Sequence, residues 1–140
     1  MIDCSGAIIF ARSTHRILLL QKRDGKHAGK FVIPGGTNLG NESTYSCLTR
    51  ELDEEIGNTE IVKTIPLDRF VSSDSQFNFH TYFCIVDNEF IPTLSLEHLA
   101  WGWFLMDHLP KPLHQGFHLS LKNKVIQEKI NTIIQIVDLL

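Results

Sequence analysis

The stretch Gly36-Thr-Asn-Leu-Gly-Asn-Glu-Ser-Thr-Tyr-Ser-Cys-Leu-Thr-Arg-Glu-Leu-Asp-Glu-Glu-Ile-Gly-Asn58 decides the fold. Its centre, Arg50-Glu51-Leu52-Asp53-Glu54-Glu55, holds five ionised groups in six residues, bracketed by Gly35-Gly36 and Gly57. Charge this dense must be solvated, paired or bound to a cation. Tyr45, Leu48, Leu52 and Ile56 recur at helical spacing, Asn41 or Ser43 offers an N-cap, and Gly57 offers a stop. The pattern predicts a helix over 44–56.

At about 100° per residue, Glu51, Glu54 and Glu55 fall within one sector of that helix, beside a sector formed by Tyr45, Leu48, Leu52 and Ile56. One face enters the core and the next carries carboxylates. Like charges at i, i+3 and i+4 oppose helix formation, more so beside a buried face where screening is weak. A hard divalent cation with oxygen ligands, Mg²⁺ or Mn²⁺, offsets that repulsion. A merely solvated acidic face is the competing reading.

Upstream, 6–11 and 17–21 are short branched apolar runs that predict two strands, and 31–33 predicts a third, ending at Pro34-Gly35-Gly36 in a sharp bend with exposed carbonyls. Between them, 21–30 is polar and loop-like. Downstream, 60–71, 77–86 and 101–105 read as strands. Apolar residues at 121, 125, 126, 130, 133, 134 and 137 predict one long helix over 118–137. Strands and helices alternate without a strict βαβ rhythm, which predicts a mixed sheet packed between helices in a single domain over 1–140.

The 140 residues carry a net charge of −3, which argues against an extended nucleic-acid surface or an anionic membrane surface. No apolar run is long enough to span a membrane and no basic segment precedes an apolar one at the N-terminus, so the expected compartment is the cytoplasm. Cys4, Cys47 and Cys84 lack metal or disulfide spacing and read as small buried apolar residues. The last helix, extended by Ile136, Leu139 and Leu140, has an apolar stripe broad enough for either a monomer's core or a homodimer interface.

The pattern Gly36-x5-Glu42-x7-Arg50-Glu51-Leu52-x-Glu54-Glu55-x-Gly57 resembles the box of the Nudix hydrolases, in particular the MutT-like members. Asn58 departs from it, standing where the family has an aliphatic residue. The resemblance continues through Leu18-Leu-Leu-Gln-Lys-Arg23 and Phe31-Val-Ile-Pro-Gly-Gly36 upstream, and through Glu97-His98, Trp103-Phe104 and Leu109-Pro110 downstream. It implies an α/β/α sandwich and Mg²⁺-dependent hydrolysis of a pyrophosphate bond in a nucleoside diphosphate derivative, with Mn²⁺ as a substitute cation. A small nucleotide is the implied partner, most directly a nucleoside triphosphate; nucleotide sugars and dinucleotides are alternatives. A Nudix-fold module that senses a nucleotide without cleaving it is an alternative of another class.

By the same resemblance, Glu51, Glu54 and Glu55 bind the metal together with the backbone carbonyl of Gly35. Glu51 or Glu97 takes the proton from the attacking water, and Arg50 holds the catalytic glutamate. Helix geometry leaves Arg50 a choice between Glu51 and Glu54. Glu42 lies outside the carboxylate sector and suits a role in ordering its loop. Arg23 is the expected phosphate contact, because guanidinium binds phosphate oxygens in bidentate fashion. Trp103 is a candidate base-stacking residue, though a core or strand-packing role is the favoured reading. No histidine shows paired metal spacing, although His98 lies beside Glu97.

Overall fold

The computed structural model describes residues 1–139. In chain order it comprises β1 (Ile2–Ala11), β2 (Arg16–Lys22), β3 (Phe31–Val32), β4 (Gly35–Thr37), α1 (Thr44–Ile56), β5 (Lys63–Val71), β6 (Phe77–Val86), β7 (His98–Leu105), α2 (Gln115–Lys122) and α3 (Lys124–Asp138). The strands form one mixed sheet. β1 runs parallel to β6 along its whole length, while every other pairing between two of these strands is antiparallel. The main path is β3-β2-β1-β6-β5, with β4 paired to β1 and β7 to β2.

Alternation along the strands explains the layering. Ala7, Ile9, Leu18, Leu20, Tyr82 and Cys84 face one side and bury Leu48, Leu52 and Ile56 of α1. Ile8, Phe10, Ile17, Leu19, Phe83 and Ile85 face the other and bury Phe117 of α2 with Ile126, Ile130 and Val137 of α3. A sheet apolar on both faces needs cover on both, and this gives the α/β/α sandwich.

The helix predicted over 44–56 forms with those bounds. Ser43 is its N-cap, its Oγ accepting from Ser46 N at 3.0 Å, and Gly57 closes it at φ 81° with its N–H on Asp53 O. Tyr45, expected in the core, is instead exposed, and Cys47 is buried in the same turn. There β4 approaches the helix, and the Cys47 thiol lies 3.6 Å from Gly36 O.

Three further expectations are corrected. Gly35 and Gly36 do not form a free bend; they pair with Gly6 and Ser5 as β4. The C-terminal helix is two helices, because Asn123 adopts an extended conformation that ends α2 while its Oδ1 accepts from Val125 N and Ile126 N, capping α3. Cys4 is only half-buried, in contact with Thr37 Oγ1, whereas Cys47 and Cys84 are buried and all three thiols are free. Val125 and Ile136 along α3 and Leu139 just past it remain exposed, and Leu140 lies outside the described residues. No helix among the described residues is long and apolar enough to cross a membrane.

Candidate active site

The acidic face of α1 is graded from core to solvent. Glu55 is buried, Glu51 is nearly so, and Glu54 is more than half exposed. The gradient follows from where the helix lies. Glu55 sits only about 20° from Leu48 around the axis, on the edge of the apolar sector, while Glu54 is about a third of a turn away.

Each oxygen of the Glu55 carboxylate meets a specific group. Oε1 accepts from the backbone N–H of Gly35 at 3.1 Å, and Oε2 lies 3.2 Å from His98 Nε2. Burial drives the Glu55 pKa up from 4.5 to about 8; Gly35 N–H pulls it down, Glu51 and Glu97 push it further up, and Lys22 partly offsets them. Burial also raises the Glu51 carboxyl, against the pull of Arg50. His98 is pushed down from the ordinary histidine value by its own burial, with Lys22 adding to the effect.

The two glycines are required by close approach. A Cβ on Gly35 would collide with the Ser5 carbonyl and Gly6 Cα, and one on Gly36 would collide with the Glu51 carboxylate. Glycine at 36 therefore lets Glu51 fold onto β4.

Arg50 ties the box together. Its Nε and Nη2 form a bidentate pair with Glu42 at 2.7 and 2.9 Å, Nη2 also donates to Thr37 O at 3.0 Å, and Nη1 donates to Glu51 at 3.0 Å and Glu54 at 3.3 Å. Both expected partners are engaged, but the strongest is a third, Glu42. Glu42 also accepts from Leu39 N at 2.7 Å, which orders the 37–42 loop as its sequence position suggested. Arg50, first among its causes, holds the Glu42 pKa down from 4.5 to about 2.

The segment ahead of β7 is drawn onto the end of α1. Thr93 N donates to Ile56 O and Ser95 N to Glu55 O, while Arg23 contributes its own N–H to Glu97 O and its Nε to Leu96 O at 2.8 Å. Glu97 and His98 thereby meet Glu55, and ligand-capable atoms of all three lie within 4.8 Å of one another. Glu51 and Glu54 are turned toward Arg50 instead. Sequence reasoning noted His98 only as a neighbour of Glu97 and did not single out Lys22. Lys22 carries no signal in the sequence; it enters through the β2·β7 register, which pairs it with His98.

The surroundings of Trp103 match its favoured reading as a packing residue. The residue is 8% exposed, its indole N–H donates to Phe90 O at 3.0 Å, and its ring meets that of Phe90 edge-on. A ring committed on its edge and packed among core residues is not a platform for a nucleobase. Arg23 is exposed, and its guanidinium braces the Glu97 loop through Nε.

The arrangement combines a recessed set of oxygen donors with cations at its rim, Lys22 and Arg23. Such a site suits a hard cation bridging to an anionic ligand.

Comparison with known proteins agrees with this fold. The NUDIX domain family profile matches residues 4–123. The MutT NUDIX hydrolase of Burkholderia pseudomallei superposes with a TM-score of 0.69 at 24% identity, covering 88% of this chain and 97% of that one. The NUDIX domain of Shewanella oneidensis NrtR, complexed with ADP ribose, gives 0.71 at 16% identity, covering 93% and 88%. A C. elegans Ap4A hydrolase gives 0.70 at 17% identity, covering 93% and 97%. At these identities the likeness concerns the fold. Among curated proteins no sequence matches significantly.

Proposed function

Since the chain belongs to the NUDIX family of hydrolases, enzymes acting on phosphoric anhydrides, we propose that it hydrolyses a pyrophosphate bond of a nucleoside triphosphate in a Mg²⁺-dependent reaction, as a MutT-like pyrophosphohydrolase. The observation that carries this reading is the buried Glu55 carboxyl, crowded by Glu51 and Glu97 and raised to about 8. A carboxyl in that position either keeps its proton or gives it up to a cation.

The residues fit Mg²⁺ or Mn²⁺. The donors are oxygens, which hard cations prefer, and no thiolate joins them. Glu51, Glu54, Glu55 and the Gly35 carbonyl would hold the cation, with Glu97 as a further ligand or base. Once bound there, such a cation would supply charge neutralisation for the pyrophosphate and a lowered pKa for water.

The chain's own residues supply the rest. Glu51 accepts the proton of the attacking water, a role to which its raised pKa lends support. Arg50 fixes the Glu51 carboxylate. Arg23 keeps guanidinium nitrogens beyond Nε for the substrate's phosphate oxygens, and Lys22 adds positive charge beside them.

The site accords with the free thiols of a reducing cytoplasm and with a small nucleotide partner. The test is a panel of nucleoside triphosphates, nucleotide sugars and dinucleotides incubated with Mg²⁺, with product identification. Release of pyrophosphate from a triphosphate supports the reading. Turnover confined to nucleotide sugars or dinucleotides corrects the substrate, and metal binding without turnover replaces hydrolysis by sensing. In the same assay Arg23→Ala raises KM across the panel; an unchanged KM removes its phosphate role.

A further inference from the structure

We infer that the uncovered end of the sheet, the face bearing Ile2, Phe70, Phe77 and Phe79, is the surface through which two copies of this chain form a homodimer.

Strand parity places the face. Ile8 of β1 and Phe83 of β6 point to the side of α2 and α3, so Ile2, Cys4, Phe77 and Phe79 point there too. The register sets Phe70 of β5 opposite Phe79, and Cys4 between Phe79 and Thr37 of β4. Thr37, Cys4, Phe79 and Phe70 thus form one row across four strands, with Ile2 and Phe77 in the next. The helices cover this side of the sheet over Ile8, Phe10, Leu67 and Phe83, but not over these rows. Ile2 is 44% exposed, Phe70 54%, Phe77 37% and Phe79 41%. Phe77 and Phe79 stack with centroids 5.8 Å apart, and Phe79 meets Phe70 at 6.4 Å. The four residues leave roughly 350 Å² of apolar surface in water.

The reverse face of the same strand ends is built differently. Arg69 Nε donates to Asn78 Oδ1 at 2.8 Å, Asn78 Nδ2 donates to Asp3 Oδ1 at 2.8 Å, and His80 Nε2 lies 3.3 Å from that oxygen. That side suits water. The aromatic side suits a dry partner.

Size and charge choose the partner. A nucleobase covers one ring, whereas the face spans four strands, about 14 Å at the ordinary strand spacing. Nucleic acid and anionic membranes require cations, and the rows hold none; their polar atoms, Cys4 Sγ and Thr37 Oγ1, meet each other at 3.7 Å. At the border with α3, Asp68 follows Leu67, whose carbonyl accepts from Lys129 Nζ at 3.1 Å. One acid and one base there do not repel a copy of the same border. A flat, uncharged aromatic face is therefore its own complement about a twofold axis, in the manner of packed sheets. Two copies apposed in this way would each bury roughly 350 Å² of apolar surface, nearly half of the ~800 Å² per partner in a stable interface and enough for its apolar core. Pairing along the open edge is the other route by which sheets associate. It is blocked in β5 by Pro66, by the register shift between Pro66 and Asp68, and by Lys129 on the Leu67 carbonyl.

The experiment is sedimentation velocity of the purified protein from about 1 to 200 μM, a range that brackets micromolar dissociation constants. The wild type is expected to pass from monomer to dimer as concentration rises. Phe79→Glu and Phe70→Glu each set a charge in the middle of the face and are expected to raise the dissociation constant at least about 100-fold. Both replace exposed side chains, so melting temperatures should show them folded. Hydrogen exchange of the wild type at low and high concentration reads the face without any substitution, and 69–71 and 77–79 are expected to exchange more slowly in the dimer. A wild type that stays monomeric throughout overturns the inference. So does a dimer that both variants leave intact, and if Ile136→Glu dissociates that dimer the interface lies on α3. Phe79→Glu that keeps the wild-type mass but raises KM for nucleotides assigns the face to substrate, which also overturns it.

Discussion

Arg50 and Glu42 form a bidentate ion pair, Nε to Oε2 at 2.7 Å and Nη2 to Oε1 at 2.9 Å, that joins α1 to the loop leading into it. Glu42 lies eight residues before Arg50, beyond the reach of any i,i+4 rule, so only the fold of the 37–42 loop brings the two together. The pair stabilises the folded state above the ordinary glutamate value of 4.5, and that contribution is lost as pH falls through about 2. Glu42→Gln is therefore expected to speed proteolysis of the 37–42 loop at neutral pH and to lose its difference from wild type at pH 2. Because Arg50 then pulls less on Thr37 and holds Glu51 less firmly, kcat falls more than KM rises. Limited proteolysis and steady-state kinetics check both.

The Glu55 carboxyl predicts a pH dependence of opposite sign. Its pKa is raised from 4.5 to about 8 in the folded, metal-free chain. Between those values the native state holds a proton that the unfolded state has released, so stability is full below 4.5 and declines as pH rises to about 8. A cation that replaces the proton removes the penalty. In chelator, the melting temperature should fall from pH 5 to pH 8, and saturating Mg²⁺ should flatten the profile. Glu55→Gln, which cannot ionise, should flatten it without Mg²⁺. A flat wild-type profile in chelator would contradict the burial argument.

Trp103 is a packing residue, and its substitution tests that directly. Trp103→Ala should cost about 3–5 kcal/mol of stability, as truncation of a buried aromatic does. Trp103→Phe should cost less, losing the bond to Phe90 O while keeping most of the ring. In variants that remain folded, KM is expected to hold within about twofold, since substrate binding worth a tenfold change would require 1.4 kcal/mol. Chemical denaturation and kinetics on the same preparations make the comparison.

Much of this was legible in the chain. The helix over 44–56 was bounded by a serine cap and a glycine stop, signals that act locally, and both operate in the fold. The strand over 77–86 was equally clear, because its alternating residues face apolar layers on either side. The single C-terminal helix was misread because apolar periodicity continues across Asn123, while the interruption depends on one side chain turning back to cap α3.

Within the site, the carboxylates of α1 were legible from their spacing, but their inequality was not. Helical angle alone hinted that Glu55 lies nearest Leu48, whereas its burial requires the 93–98 segment packed over it. His98 and Lys22 carry no spacing signature at all. They arrive through the register of β7 on β2, a pairing between residues far apart in the chain. Trp103 stood between packing and stacking for the same reason, since a strand residue's face is set by its partners.

On the proposed reading, a divalent cation held by Glu51, Glu54 and Glu55, with Glu97 beside them, would drive hydrolysis of a nucleotide anhydride. The most direct measurement is turnover of a nucleoside triphosphate panel in ¹⁸O-water, with and without Mg²⁺, for wild type and Glu55→Gln, locating the label in the products. The account predicts Mg²⁺-dependent cleavage by the wild type, a single labelled product, and loss of that turnover in Glu55→Gln while the variant stays folded. Mg²⁺-dependent turnover persisting at the wild-type rate in folded Glu55→Gln would contradict it.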